Sequence, residues 1–161
     1  MGAPAHRIVL LRHAEAEDAV ASDRARVLTA KGEGQARRIG LALHGQGLAP
    51  GAVVCSPAAR ALQTARLAAA AAQSRVAIEQ DETLHEAGPE EVLACLGRHP
   101  QAIVWVVGHN PSLQATARLL GGLPHAWHLD KGCAAVLDTD RWPPDPDATR
   151  LHRLLAPGHG N

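Results

Sequence analysis

Three short segments of this 161-residue sequence carry groups suited to phosphoryl chemistry. Arg12 directly precedes His13, Arg60 follows a Ser-Pro pair, and His109 stands in a Gly-His-Asn-Pro segment. A neutral imidazole can attack phosphorus, and guanidinium groups donate paired hydrogen bonds to phosphate oxygens. If the three segments meet, they would form an anion pocket around a histidine nucleophile.

The predicted elements alternate between strands and helices along the chain. The predicted strands are Arg7–Arg12, Ala52–Cys55, Arg75–Gln80, Ile103–Val107, Ala134–Asp138 and Arg150–Leu155. Helices are predicted from a Thr29 cap to Gly45, from Ser56-Pro57 to about Ala72, from Pro89 to Arg98, and from Asn110-Pro111 to about Leu120. This alternation predicts an α/β fold, a three-layer α/β/α sandwich with a mostly parallel sheet, in a single domain spanning residues 1–161.

The predicted topology places the reactive segments at one edge of the sheet. Arg12 and His13 follow the first strand, Arg60 follows the second, and His109 follows the fourth. Ligands of such sheets bind at the carboxyl ends of the strands. Two helices also begin at this edge, and the N–H groups of a first helical turn favour anions. The three segments are therefore expected to form one phosphate pocket.

In their order and spacing, these segments resemble the histidine phosphatase superfamily, also called phosphoglycerate mutase-like. The matching residues run from Leu11 to Glu15, from Cys55 to Pro57 with Arg60 and Gln63 to Ala65, and from Val107 to Pro111. The stretch from Ser22 to Thr29, with Lys31-Gly32, is similar to the short phosphohistidine phosphatases of the SixA type. The resemblance implies that His13 accepts the phosphoryl group and that Arg12, Arg60 and His109 form the phosphate pocket. It also implies that Arg26 contacts phosphate or substrate.

The proton donor has two candidates and a third possibility. Glu86 follows the third strand at the same sheet edge, near where larger members of the superfamily place their donor. Glu15, two residues after His13, is the second candidate, and water is the third. A phosphoramidate needs a dedicated acid less than an ester does, because a protonated imidazole leaves readily.

The short connection from Asp81 to Gly88 predicts an open, shallow site. Such a site favours a phosphorylated protein, with phosphohistidine as the substrate group, over a small phosphate ester. A small-molecule phosphomonoesterase using the same residues is the alternative. A metal-binding module with His13, Glu15 and His109 as ligands is disfavoured because the two arginines would repel a cation. A catalytically silent phosphate-binding protein is a further class.

The composition limits the other partners. Sixteen basic and 16 acidic residues give no net charge, which disfavours nucleic acid as a partner. No apolar run approaches the length of a membrane span, and no metal or cofactor is expected. Three scattered cysteines suit a reducing compartment, so a cytoplasmic location is expected. The chain is also expected to be a monomer. The other histidines are expected at the surface: His6, His44, His85, His99, His125, His128, His152 and His159.

Overall fold

A computed structural model describes residues 2–18 and 21–158 of the chain. The strands are β1 (His6–Arg12), β2 (Ala52–Cys55), β3 (Ile78–Gln80), β4 (Ile103–Gly108), β5 (Ala134–Thr139) and β6 (Thr149–Leu155). The helices are α1 (Ala30–Gly45), α2 (Ala59–Ala71), α3 (Pro89–Gly97) and α4 (Ser112–Gly121). A short 3₁₀ turn covers Glu82–Leu84. His159, expected at the surface, lies outside the described residues.

The six strands form one mixed sheet in the order β3-β2-β4-β1-β5-β6. Its first four strands are parallel to one another. β5 is antiparallel to both β1 and β6. The prediction of an α/β fold with a mostly parallel sheet is confirmed. Since β1 and β4 are central neighbours, their carboxyl ends lie side by side at one edge.

Helices cover both faces of the sheet, as the alternating side chains of β1 require. Ile8 and Leu10 point to one face, where they share a buried cluster with residues of α3 and α4. Val9 and Leu11 point to the other face and pack with residues of α1 and α2. Because side chains alternate along a strand, a continuous apolar run such as Ile8–Leu11 is buried on both faces. This arrangement is the predicted three-layer sandwich.

Two predicted boundaries are off by two or three residues, and each error has a local cause. The helix predicted from Ser56-Pro57 begins at Ala59 instead, because Ser56 continues the β2 ladder by donating its N–H to Val107. The strand predicted from Arg75 begins at Ile78, opposite Val53 near the start of its partner strand β2.

The fourth helix also starts later than predicted. It begins at Ser112 rather than at Asn110-Pro111. The Asn110 side chain nevertheless acts at this end, since its Oδ1 accepts a hydrogen bond from the backbone N–H of Gln114 at 3.2 Å.

The remaining observations concern the membrane and the cysteines. None of the helices in residues 2–18 and 21–158 is long and apolar enough to cross a membrane. All three cysteines, Cys55, Cys95 and Cys133, are buried free thiols. Burial raises the pKa of Cys55 to about 11 and that of Cys95 to about 12, so both remain protonated.

Candidate active site

Backbone hydrogen bonds bring the ends of three strands together at one sheet edge. Arg12 pairs with Gly108 in the register of β1 and β4, and the His13 N–H donates to the Gly108 carbonyl at 2.9 Å. On the other side of β4, the Ser56 N–H donates to the Val107 carbonyl at 3.0 Å. The segments that carry His13, Arg60 and His109 therefore start from neighbouring positions.

The ring of His13 is buried and held in a defined orientation. Its Nδ1 lies 2.7 Å from the carbonyl oxygen of Ala14, and only 6% of the residue is exposed. A carbonyl can only accept, so Nδ1 carries the proton and Nε2 keeps its lone pair. Burial, with the nearby charges of Arg60, Arg12 and Lys131, lowers the pKa of His13 to about 4. His13 is therefore a neutral imidazole at pH 7.

His109 stands beside His13, with 5.2 Å between the ring centroids. Its Nε2 lies 2.7 Å from the Ser56 hydroxyl oxygen. Burial is the main cause that lowers the pKa of His109 to about 3, and the charges of His13, Arg60 and His85 add to it. His109 is thus neutral in the free protein, so Arg12 and Arg60 supply the positive charge of the predicted phosphate pocket. Ser56, expected only as a helix cap, contacts His109 instead.

Arg60 lies in the first turn of α2 and is almost fully buried. Thr64, one turn later, links this helix to the segment after β1. Its hydroxyl donates to the Arg60 carbonyl at 2.8 Å and accepts from the Ala14 N–H at 3.1 Å. Ala14 itself is buried in a small cluster with Leu28 and Ala36.

Arg12 is half-buried at the end of β1. Its Nη1 donates to the carbonyl of Leu129, in the loop before β5, at 3.1 Å. Burial lowers the pKa of this guanidinium, and the nearby charge of Asp130 opposes the shift. The same loop carries the exposed Lys131, whose charge acts on His13. Lys131 was not identified from the sequence, because nothing in a loop sequence fixes where its side chain lies.

Three buried nitrogen atoms of this cluster have no hydrogen-bond partner among the described residues. They are Nε of Arg12, Nε of Arg60 and Nδ1 of His109. Buried polar groups are nearly always paired in proteins. Two unpaired guanidinium donors from separate segments, beside an unpaired ring nitrogen of a third, are typical of a site that binds an oxygen-rich anion.

Among the described residues, Arg26 has no hydrogen bond to Arg12, His13, Arg60 or His109 but is linked to Arg60 through Asp23. Its Nε donates to the Glu17 carbonyl at 2.7 Å and its Nη1 to Asp23 Oδ1 at 3.1 Å. The other carboxylate oxygen of Asp23 lies 3.1 Å from Arg60 Nη2. The structure thus adds Asp23 to the site, which sequence reasoning did not assign there.

His85, expected at the surface, is also part of this cluster. Its side chain is only 20% exposed, and its ring lies edge-on to His109 with centroids 5.8 Å apart. Its Nε2 lies 3.8 Å from Asp23 Oδ2. The position of His85 after β3 was the available signal, since the same rule singled out its neighbour Glu86.

The two acid candidates lie in different surroundings. Glu86 is exposed, has a left-handed backbone with φ of 58°, and has no hydrogen bond or ion pair to any described residue. Glu15 is half-buried and accepts a hydrogen bond from the Thr29 hydroxyl at 3.2 Å, at the start of α1. Neither contacts His13 in this structure, and the role of each stays a prediction.

Four surface cavities of the described residues, of about 220 to 550 Å³, are lined by residues outside this cluster. Arg26 lines the largest, while His13, Arg12, Arg60 and His109 line none of the four. Over residues 2–18 and 21–158, no three His, Cys, Asp or Glu side chains stand close enough to hold a metal ion.

Comparison with known families supports the sequence resemblance. Residues 8–93 match the model of the histidine phosphatase superfamily (branch 1). This match covers more than half of the chain and includes the segments of His13 and Arg60. Comparison with curated protein sequences gives no match.

Solved structures share the fold over nearly the whole chain. A proposed phosphohistidine phosphatase SixA from Nakamurella multipartitia is 32% identical with a TM-score of 0.82, over 96% of this chain and 98% of that one. A second proposed SixA, from Agrobacterium tumefaciens, is 30% identical with a TM-score of 0.80, over 96% and 99%. A proposed α-ribazole-5′-P phosphatase from Escherichia coli is 22% identical with a TM-score of 0.70, over 98% and 99%, and shows the fold alone.

Proposed function

Because this chain belongs to the histidine phosphatase superfamily and is a histidine-nucleophile phosphatase, we propose that it removes the phosphoryl group from phosphohistidine on a protein. In this proposal the group passes through a covalent intermediate on His13. Arg12, Arg60 and His109 hold the phosphoryl oxygens during the transfer.

The contact between His13 and Ala14 is the observation that carries this proposal. The Ala14 carbonyl fixes the proton on Nδ1, and burial keeps the ring neutral with a pKa of about 4. A neutral ring with a fixed tautomer presents its Nε2 lone pair without first losing a proton. Phosphoryl transfer then requires mainly positioning and stabilisation of the oxygen charges.

The pocket around His13 supports the assignment of the oxygen-binding residues. Arg12 and Arg60 each retain a buried Nε–H without a partner among the described residues, and Nδ1 of His109 is a buried nitrogen that also has no partner there. A phosphoryl dianion would be the complementary ligand, because each oxygen accepts several hydrogen bonds. It would also stabilise the protonated form of His109 once bound.

The proposed reaction has two steps, transfer of the phosphoryl group to His13 and hydrolysis of phospho-His13. His13 Nε2 attacks phosphorus, the bond to the leaving nitrogen breaks, and its electron pair returns to the substrate imidazole. Phospho-His13 then keeps its Nδ1 proton, facing Ala14. Water attacks phosphorus in the second step, the electron pair returns to Nε2, and the protons of water leave with inorganic phosphate.

Two observations support phosphohistidine over a small phosphate ester. Two relatives at 30% identity or above are proposed phosphohistidine phosphatases. The connection from β3 to α3 is also short, spanning residues 81–88 with one 3₁₀ turn and no inserted element, which suits a group presented on a protein surface. A small-molecule phosphomonoesterase using the same site is the second candidate, because the fold is shared with a proposed α-ribazole-5′-P phosphatase.

The proton source depends on the leaving group. For an ester we propose Glu86 as the acid, because its neighbour His85 packs against His109, with Glu15 and water as alternatives. For phosphohistidine we propose that a substrate ring already protonated needs no such acid. For Arg26 we propose a role in substrate binding that acts through Asp23, whose carboxylate it positions.

We propose a single domain acting as a cytoplasmic monomer without a cofactor. The zero net charge of the sequence supports the absence of nucleic-acid binding, and three buried free thiols support a reducing compartment. Light scattering at micromolar concentration tests the monomer directly.

The experiment that tests the function compares turnover of three substrates at equal concentration. These are a protein phosphorylated on histidine, p-nitrophenyl phosphate and a set of sugar phosphates. The proposal predicts the highest kcat/KM for the phosphohistidine protein. A sugar phosphate with the highest kcat/KM would establish the second candidate instead.

A further inference from the structure

The segment containing Asp23 forms one wall of the site. The Asp23 carbonyl accepts a hydrogen bond from Arg60 Nη1 at 2.7 Å, and the Arg24 carbonyl accepts one from the Ala59 N–H at 3.0 Å. An ion pair between Arg24 and Glu82 ties the same segment to the turn after β3. These contacts hold the segment against the first turn of α2, which carries Arg60.

The Asp23 carboxylate is anionic and turned toward the site, yet 58% of its side chain is exposed. Its oxygens lie 3.1 Å from Arg26 Nη1, 3.1 Å from Arg60 Nη2 and 3.8 Å from His85 Nε2. The hydrogen bond from Arg26, with that from Arg60, lowers the pKa of Asp23. A carboxylate therefore stands at the mouth of a pocket built for an anion.

Arg60 can hold this carboxylate and a phosphoryl group together. A guanidinium has five N–H donors, and Asp23 takes one from each Nη. Three donors remain, including the buried Nε–H without a partner among the described residues. Asp23 need not be displaced when a phosphoryl group binds, so its charge remains beside the reacting group.

A fixed anion at this position disfavours most phosphate esters and favours one leaving group. It repels the phosphoryl dianion and any carboxylate or second phosphate on an ester. The leaving group of such an ester has no cation that would offset this repulsion. The imidazolium of a protonated phosphohistidine is instead a cation with an N–H donor on the ring nitrogen that does not carry phosphorus. A carboxylate is the natural acceptor for that N–H.

We propose that Asp23 is a specificity-determining residue that accepts the N–H of the substrate imidazolium and so selects phosphohistidine over phosphate esters. This inference rests on the proposed function. While the carboxylate holds that proton on the ring, the P–N bond breaks and its electron pair returns to nitrogen. The departing imidazole is neutral and keeps its N–H, so no proton has to be transferred during the step.

The test uses Asp23→Asn, which keeps the size and one carbonyl acceptor but removes the charge. The probes are a peptide phosphorylated on histidine and p-nitrophenyl phosphate. We expect kcat/KM for the phosphopeptide to fall about tenfold or more. We expect kcat/KM for the aryl ester either to rise or to fall by less than about threefold. Asp130→Asn is the matched control, since it removes an exposed negative charge near Arg12, and it should shift both substrates alike.

A second readout separates selection from simple positioning of Arg60. The charged or titratable groups facing Asp23 are Arg60, Arg26 and His85, so a variant without the His85 imidazole separates its contribution from that of Asp23. We expect the alkaline limit of kcat on the phosphopeptide to move to lower pH in Asp23→Asn. The same shift should occur in Asp23→Asn/His85→Gln relative to His85→Gln. Inhibition by inorganic phosphate should be as strong as in the wild type or stronger, because the oxygen pocket is intact.

Equal losses on both substrates, or weaker phosphate inhibition, would show that Asp23 only positions Arg60 and would overturn the inference. Unchanged selectivity would overturn it as well. Neither result affects the proposed function, which is read from the wild type alone. A wild type inactive on the phosphopeptide would overturn both.

Discussion

The hydroxyl of Thr64 accepts a hydrogen bond from the backbone N–H of Ala14 at 3.1 Å. The same hydroxyl donates to the carbonyl of Arg60 at 2.8 Å. One buried side chain thus connects the segment of the proposed nucleophile His13 to the helix that carries Arg60. The distance between nucleophile and guanidinium depends on this link.

Thr64→Val should therefore impair both stability and catalysis. It leaves the buried Ala14 N–H without an acceptor, which costs about 1–3 kcal/mol in the free energy of unfolding. We expect kcat/KM to fall about tenfold, because small displacements in a phosphoryl-transfer site are costly. Urea unfolding and steady-state kinetics measure the two effects.

Thr116 provides the matched control for this prediction. It is also a buried helical threonine whose hydroxyl donates one turn back, to the Ser112 carbonyl, but it lies in α4 and does not join two segments of the site in the described part of the chain. Thr116→Val should leave kcat/KM unchanged, and Thr64→Ser should restore most of the activity. An equal loss of activity in Thr64→Val and Thr116→Val would contradict the proposed link.

Stability should depend on pH through the two buried histidines. Their pKa values of about 4 for His13 and about 3 for His109 lie below the value near 6.5 of an unfolded chain. The unfolded state then binds more protons below pH 6.5, so the free energy of unfolding falls as pH drops through this window. The loss by pH 5 should be on the order of 2 kcal/mol per histidine.

Urea unfolding at pH 7.5 and pH 5 measures this dependence. His13→Asn should lose less stability than the wild type between the two values, because one of the two histidines is gone. His125→Asn, which changes an exposed histidine, should retain the wild-type difference. A wild type equally stable at both pH values would be inconsistent with neutral buried rings.

Turnover should not require a divalent metal. Among the described residues no cluster of potential ligands could hold a metal ion, and Arg12 and Arg60 would repel a cation beside His13. Excess EDTA should leave kcat within about twofold of its untreated value. Loss of activity under the chelator, with recovery on adding Zn²⁺ or Mg²⁺, would instead favour the metal-binding module with His13, Glu15 and His109 as ligands.

The packing of α1 against α2 should tolerate no side chain at Gly40. A Cβ there would lie 2.2 Å from the carbonyl oxygen of Ala68, a backbone atom that cannot move aside alone. Gly40→Ala should lower the free energy of unfolding by about 1–3 kcal/mol. Differential scanning calorimetry measures the change in Tm.

Gly34→Ala, in the same helix, is the control for that change. Its added Cβ would meet only the guanidinium end of the long Arg38 side chain, at 3.0 Å, and no backbone atom. Here the higher helix propensity of alanine should raise stability by up to about 1 kcal/mol. If both variants gain stability, the close approach of the two helices is wrong.

The sequence was sufficient to predict the elements that depend on regular patterns. The apolar run of β1 and the Thr29 cap, which accepts a hydrogen bond from the Gly32 N–H at 2.9 Å, follow from local rules. The meeting of Arg12 and His109 at one edge follows from the rule for parallel strands. The sequence resemblance assigned roles to these residues and added Arg26.

What the sequence could not predict depends on contacts between distant residues. Ser56 looked like a helix cap, but its hydroxyl bonds His109, 53 positions away. His85 and Asp23 lie in loops, and no periodicity or cap fixes the direction of a loop side chain. Only the three-dimensional structure shows that they lie together beside the pocket, with 3.8 Å between His85 Nε2 and Asp23 Oδ2.

The central claim, a phosphoryl group carried on His13, is tested most directly by trapping the intermediate. Rapid quenching of the enzyme mixed with a ³²P-phosphohistidine protein should give one label that is stable in base, labile in acid, and maps to His13. His13→Ala should show no label and a turnover reduced about a thousandfold or more, while inorganic phosphate still binds through Arg12 and Arg60. Normal turnover by His13→Ala, or a label on another residue, would contradict the account.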